Sequence, residues 1–141
     1  MANILVPIQL GQDVTWLVSY LSKIHQRESI RVHLLSVQPR YTSLVKFFFS
    51  SHDIAAFIAE DAITSLAPME QGLARSNIPF NSHVRVGDKA TEIVKFAKEI
   101  YCPQIILGPT TGNRIIDLLF GTLTGRVESL MRLADNRCKV I

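Results

Sequence analysis

The residues best suited to chemistry lie late in the chain. Gly108-Pro109-Thr110-Thr111-Gly112-Asn113-Arg114 is followed by Gly121-Thr122-Leu123-Thr124, at the start of the last helical pattern. Glycines let the backbone approach phosphate oxygens closely, and amides at a helix start face an anion with the helix dipole behind them. The hydroxyls of Thr122 and Thr124 would add hydrogen bonds, and Arg114 would add charge. A plain turn and cap, with Thr124 in solvent, accounts for the same residues. The two readings are comparable.

Competing chemistries leave no trace. The chain has no GxxxxGKS/T loop and no GxGxxG fingerprint. Its first loop, Ile8-Gln9-Leu10-Gly11, lacks the acidic pair with which a phospho-accepting receiver holds magnesium, and the Ser/Thr-rich phosphate loop of a flavodoxin. No Ser-Gly-Gly run or G-x-S-x-G elbow occurs. For nucleotide hydrolysis, the acidic candidates near the late loop are Asp88 and Asp117. His25, His33, His52 and His83 fall on different elements without i, i+4 or short-loop pairing, which predicts scattered packed or surface histidines and no metal. Cys102 and Cys138 are too few for a disulfide framework or zinc knuckle, and are expected as buried thiols in a reducing cytoplasm.

The elements that must position these residues alternate along the chain. A run of β-formers over 3–8, ended by Gly11, reads as a strand buried on both faces. Asp13 then opens a helix whose Val14, Leu17, Val18, Leu21 and Ile24 share one face. A strand over 30–37 stops at Pro39, which has no N–H for a ladder. Residues 40–51 are ambiguous: Phe47-Phe48-Phe49 is either tucked under the next helix or exposed for a partner, and local packing is expected. A helix over 52–76 follows from Ile54, Ile58, Ala62, Leu66, Met69 and Leu73, with a kink or restart expected at Pro68.

A strand over 80–86 leads through Gly87 to Asp88, a helix N-cap ahead of a stripe of Ile93, Val94, Ala97, Ile100 and Tyr101. A strand over 103–107 precedes the glycine-bearing loop. The last helix buries Leu123, Val127, Leu130, Met131 and Ala134, and a short strand over 137–141 closes the chain. This order implies right-handed βαβ crossovers: one three-layer, doubly wound α/β domain over 1–141, with a five-stranded parallel sheet. Its ligand site is expected beyond the carboxyl ends of the strands.

Composition narrows the partners. The 141 residues are 48% hydrophobic and 19% charged, which excludes disorder. Fifteen basic against twelve acidic side chains leave a net charge of +3 with no Lys/Arg run, so no nucleic-acid partner is expected. The opening residues lack the positive stretch of a signal peptide, and no apolar run approaches the ~18 residues of a span, so no leader and no membrane partner are expected.

Ile4-Leu5-Val6-Pro7, Gly87-Asp88 before a helix, Ile105-Ile106-Leu107-Gly108, Gly121-Thr122 and Cys138-Lys139-Val140-Ile141 together resemble the universal stress protein family, from end to end of the chain. The resemblance implies a fold related to adenine nucleotide α-hydrolase domains and a cytoplasmic homodimer that pairs the last strand with its copy, serving an unknown protein partner. Some members bind ATP, here expected with magnesium, and others bind none. In the ATP-binding branch the motif is Gly, two residues, Gly, nine residues, Gly, then Ser or Thr. Gly108 and Gly121 keep the outer spacing of thirteen, and Thr122 fills the hydroxyl position. Thr111 stands at the middle glycine, with Gly112 one residue later, and threonine disfavours a positive φ there. That branch also carries an Asp after Val-Pro that contacts the nucleoside, where this chain has Gln9.

The implied site therefore draws on Pro7 and Gln9 in the first loop, with Val37 and Leu107 as apolar walls for a base. Gly108, Thr111, Gly112 and Arg114 join it from the loop, and Gly121, Thr122, Leu123 and Thr124 from the helix start. The expectation is a stress-response regulatory protein binding an adenine nucleotide, with slow ATP hydrolysis at most. The alternative is a ligand-free dimeric interaction module that uses Phe47 to Phe49 and the last strand.

Overall fold

A computed structural model describes residues 2–9, 11–40, 43–101, 104–108, 126–127 and 139–140. The chain runs through β1 (Ala2–Pro7), α1 (Val14–Arg27), β2 (Ile30–Gln38), α2 (Ser43–Phe48), α3 (Ser51–Arg75), β3 (Phe80–Val86), α4 (Lys89–Glu99), β4 (Gln104–Ile105) and β5 (Lys139–Val140). The strands form one five-stranded sheet in the order β3-β2-β1-β4-β5, and each described pairing is parallel. The chain first builds outward from β1 to β3, then returns to lay β4 on the other edge of β1. Strand order thus reverses between β1 and β4, where an open α/β sheet leaves a crevice.

Successive residues of a strand point to opposite faces, so β1 feeds two cores. Ile4 and Val6 join Leu17 and Leu21 of α1 and Leu66, Met69 and Leu73 of α3 on one side. Leu5 joins Leu35, Ile105, Leu107, Val127 and the α4 residues Ile93, Phe96 and Ala97 on the other. A strand covered on both faces needs no polar alternation, which is why 4–8 reads as an unbroken apolar run.

Caps start the long helices where the sequence places them. Asp13 accepts from the Trp16 amide and Asp88 from the Thr91 amide. Ser50 and Asp53 form a capping box at α3. Of the kink or restart expected at Pro68, the restart does not occur: α3 continues through the proline as one helix. Leu66, Met69 and Leu73 are buried on either side, and their burial, about 1.5–3 kcal/mol each, outweighs the ~3 kcal/mol proline penalty. Tyr101 also departs from its expected place in the α4 stripe. The helix ends at Glu99, Tyr101 takes φ 50° and stands 89% exposed, while Phe96 is buried at 2%.

The aromatic run does not pack locally as expected. Phe47 and Phe48 are 82% and 70% exposed, and Phe49 alone of the three stacks edge-on against Phe57 of α3, at 5.3 Å. The cause is the length of α3: no residue over 51–61 is buried, so its first turns stand clear of the sheet with α2 beside them. Val127 of the expected last helix is fully buried; Leu123, Leu130, Met131 and Ala134 lie outside the described residues.

Candidate functional site

The carboxyl ends of β1 and β4 are tied together by two glutamines. Gln9 donates from Nε2 to the Leu107 carbonyl at 3.2 Å. Gln12 donates from Nε2 to the Pro7 carbonyl at 2.9 Å and to the Leu107 carbonyl at 3.4 Å. The Gln9 backbone N–H in turn donates to Gln12 Oε1 at 3.4 Å. These side chains extend the sheet beyond its last backbone bonds, Ile106 N–H to Leu5 and Ile8 N–H to Leu35.

Gly108 follows at φ +71°, and a Cβ built on it would stand 2.9 Å from Leu17 Cδ2 and 3.3 Å from the Trp16 ring. Its glycine is thus demanded by close approach to α1, whatever the loop after it binds. Trp16 is braced by a parallel stack on Tyr20 at 5.0 Å.

Beside this clasp a cavity of about 350 Å³ opens between the ends of β1 and β2 and the middle of α3. Ile8, Val14, Val37 and Met69 supply apolar wall; Gln9, Gln12, Ser36, Gln38, Thr64 and Ser65 supply polar edges. Buried Gln38 donates to Ser36 Oγ at 2.8 Å, Ser36 and Ser65 share a hydroxyl bond at 3.3 Å, and Ser65 donates to the Ala62 carbonyl at 3.1 Å. Pro68 also lines the cavity; lacking an N–H, it leaves the Thr64 carbonyl without its helical donor.

Lys89, the first residue of α4, brings a cation to the same space. Burial pushes its ammonium pKa down, and no side-chain hydrogen bond or ion pair holds it among the described residues. A concave space of this size with mixed walls suits a small planar ligand with polar edges, and Lys89 favours a negative charge on it.

Asp88 has other work. Arg126 reaches its two oxygens at 2.9 and 3.2 Å, and Thr91 donates from both backbone and hydroxyl. These bonds, Arg126 foremost, hold the carboxyl below its ordinary pKa. It is a cap and an ion-pair partner, poorly suited to act as a base near neutrality. Asp117 lies outside the described residues.

Of the expected site residues, Gln9 and Val37 line the cavity, while Pro7 and Leu107 contribute carbonyls to the clasp. The Leu107 side chain is buried in the α4-side core. Gly108 sits at the head of the loop; Thr111, Gly112, Arg114, Gly121, Thr122, Leu123 and Thr124 lie outside the described residues. Sequence reasoning passed over Gln12, Gln38 and Lys89. The signal available was weak: a glutamine three residues after Gln9, one at the end of β2, and a lysine following a capping aspartate.

It also scattered the histidines, and two of them meet. His33 of β2 and His83 of the adjacent β3 stand 3.1 Å apart, Nδ1 to Nε2, and His33 Nε2 lies 3.1 Å from Asn3 Oδ1. With Asn3 Oδ1 as acceptor, His33 carries its proton on Nε2, and His83 Nε2–H donates to His33 Nδ1. Asn3 then donates to the Ile100 carbonyl at 3.2 Å. Phe96 covers His83 at 4.5 Å. Burial pushes both imidazoles below the usual pKa, aided by His83 and Arg31 on His33 and by Arg85 on His83, against an opposing Glu99. Among the described residues no three metal-ligating groups converge.

The sequence profile of the universal stress protein family matches residues 1–129. The chain belongs to that family. A comparison with curated protein sequences finds no match. This universal stress protein is similar in fold to UspA from Lactobacillus plantarum, with 23% identity, TM-score 0.66 and coverage of 99% of this chain and 95% of the other. It is likewise similar to a universal stress protein from Archaeoglobus fulgidus solved in complex with dAMP, at 16% identity and TM-score 0.65 over 100% and 96% of the two chains. A family protein from Arabidopsis thaliana with AMP bound aligns at 14% identity and TM-score 0.65, over 100% and 90%. The likeness establishes the doubly wound parallel α/β fold for this universal stress protein.

Proposed function

We propose that this universal stress protein is a regulatory binding domain for an adenine nucleotide, held at the carboxyl edge of β1, β2 and β4. The observation that carries the reading is the 350 Å³ cavity beside Gln9 and Val37, next to the reversal of strand order. The relatives solved with dAMP and AMP support the choice of ligand. The base lies against Val37 and Met69 with its polar edges toward the glutamine amides. The phosphates run toward Gly108 and the loop beyond it, where Thr111, Gly112, Arg114 and Gly121 to Thr124 receive them, with magnesium when the ligand is ATP. β5 is the last strand in the sheet order, and an unpaired strand edge is a template for a second copy. A cytoplasmic homodimer joined there is part of the proposal.

The ligand-free reading draws on one observation, the Leu107 carbonyl already claimed by Gln9 and Gln12. Two measurements separate the two readings. Acid extracts of the purified protein should show adenine absorbance, and calorimetric titration with AMP and with ATP plus magnesium should show saturable heat. Neither signal in an otherwise folded protein assigns the ligand-free role.

A further inference from the structure

We propose that α2 and the first turns of α3 form an arm that docks on a membrane surface rich in anionic phospholipid. The arm stands off the core, since no residue over 51–61 is buried, and its tip presents Phe47, Phe48 and Phe49 at 82%, 70% and 44% exposure. At about 200 Å² per phenylalanine side chain this is roughly 400 Å² of apolar surface, the scale of functional patches on monomers. A groove of about 500 Å³ lies behind Phe49, floored by Ile54, Ala55 and Ile58 and rimmed by Lys46.

Geometry selects the partner. Consecutive residues on a helix differ by about 100°, so Phe47 and Phe48 do not form the i, i+3, i+4 stripe that a protein groove reads. Their rings meet edge-on at 5.4 Å and both are largely exposed, an arrangement that a bilayer interface accepts because it imposes no fixed complementary shape. Charge agrees. No acidic residue occurs between Glu28 and Asp53, while Lys46 directly precedes the phenylalanines and Arg40 stands seven residues before Phe47. Asp53 is engaged in the capping box with Ser50. Glu60 and Asp61 follow the start of α3 by about 13 Å of helix, more than a Debye length of about 8 Å. None of the described helices is long and apolar enough to cross a membrane. Apolar insertion plus basic attraction is the pair of signals that reversible surface binding needs.

The test is co-sedimentation of the full chain with vesicles of phosphatidylcholine alone or mixed with phosphatidylglycerol. The wild type should pellet with the mixed vesicles, about tenfold less with the neutral ones, and progressively less as salt rises. Phe47→Ser with Phe48→Ser should lower binding about tenfold or more without lowering the melting temperature. Phe47→Trp should keep binding and show a blue-shifted emission on anionic vesicles. Should the double variant fail to fold, Lys46→Glu replaces it, with a loss of about tenfold expected. Absence of pelleting, equal pelleting on the two vesicle types, or a folded double variant that binds like the wild type overturns the proposal. So does a concentration-dependent dimer, abolished by the double variant in protein that ignores vesicles, which assigns the face to a second copy.

Discussion

Gln9 Nε2 donates to the Leu107 carbonyl at 3.2 Å, across the point where the sheet reverses its order. With Gln12 on the same carbonyl, this bond joins the ends of β1 and β4 where their backbone ladder has stopped. In the proposed complex a ligand that uses the Gln9 amide competes with the clasp.

Gln9→Leu removes that donor and leaves Gln12 alone on the Leu107 carbonyl. A hydrogen bond of this kind contributes about 0.5–1.5 kcal/mol, which for a chain of this length lowers the melting temperature by roughly 2–5 °C. Thermal unfolding followed by circular dichroism checks it; an unchanged midpoint means that the clasp is energetically idle.

Gly108→Ala should destabilise the protein by about 1–3 kcal/mol. Its φ of +71° is strained for alanine, and the new methyl meets Leu17 Cδ2 at 2.9 Å. The loss should appear in urea denaturation without nucleotide, because it arises from packing on α1. A variant that keeps its stability and loses only ligand affinity would instead place the glycine's role in the loop.

Lys89→Met separates binding from folding. The ammonium is half-buried with its pKa pushed down by burial, so an apolar replacement should leave the melting temperature unchanged or higher. Calorimetry should show nucleotide affinity weakened by about fivefold to tenfold, as for the loss of one charge-assisted bond.

The His33–His83 pair makes stability depend on pH. Both folded pKa values lie below the unfolded value, so on acidification the unfolded chain takes up protons first. The associated stability is fully present above about pH 6.5 and is lost as pH falls through that value toward the folded pKa values. Urea midpoints at neutral and mildly acidic pH should differ accordingly, and His83→Gln should flatten the difference. A slope unchanged in the variant would locate the titration elsewhere.

Local chemistry was legible before any coordinates. Asp13 and Asp88 cap helices because a short acceptor can meet amides two or three residues ahead, wherever the helix packs. The apolar runs of β1 and β2 announce strands covered on both faces, and the order of elements implies a parallel sheet. The glycine at 108 is equally visible, although its conformational cause, the approach of Leu17, is not.

What the amino-acid sequence by itself determined was the strands, the helices α1, α3 and α4, the caps at Asp13 and Asp88 and the doubly wound order, because these depend on periodicity and near neighbours. Helix α2 and the Ser50 capping box came only with the structure. Only the tertiary structure brought Gln9 to Leu107, His33 to His83, and Lys89 to the space beside Val37. Those meetings depend on which strands become neighbours and in what register, quantities that residues 98, 50 and 52 positions apart do not encode locally. The exposure of Phe47 and Phe48 was decided the same way: an aromatic run looks alike in sequence whether or not a helix has sheet beneath it, and here the first turns of α3 do not.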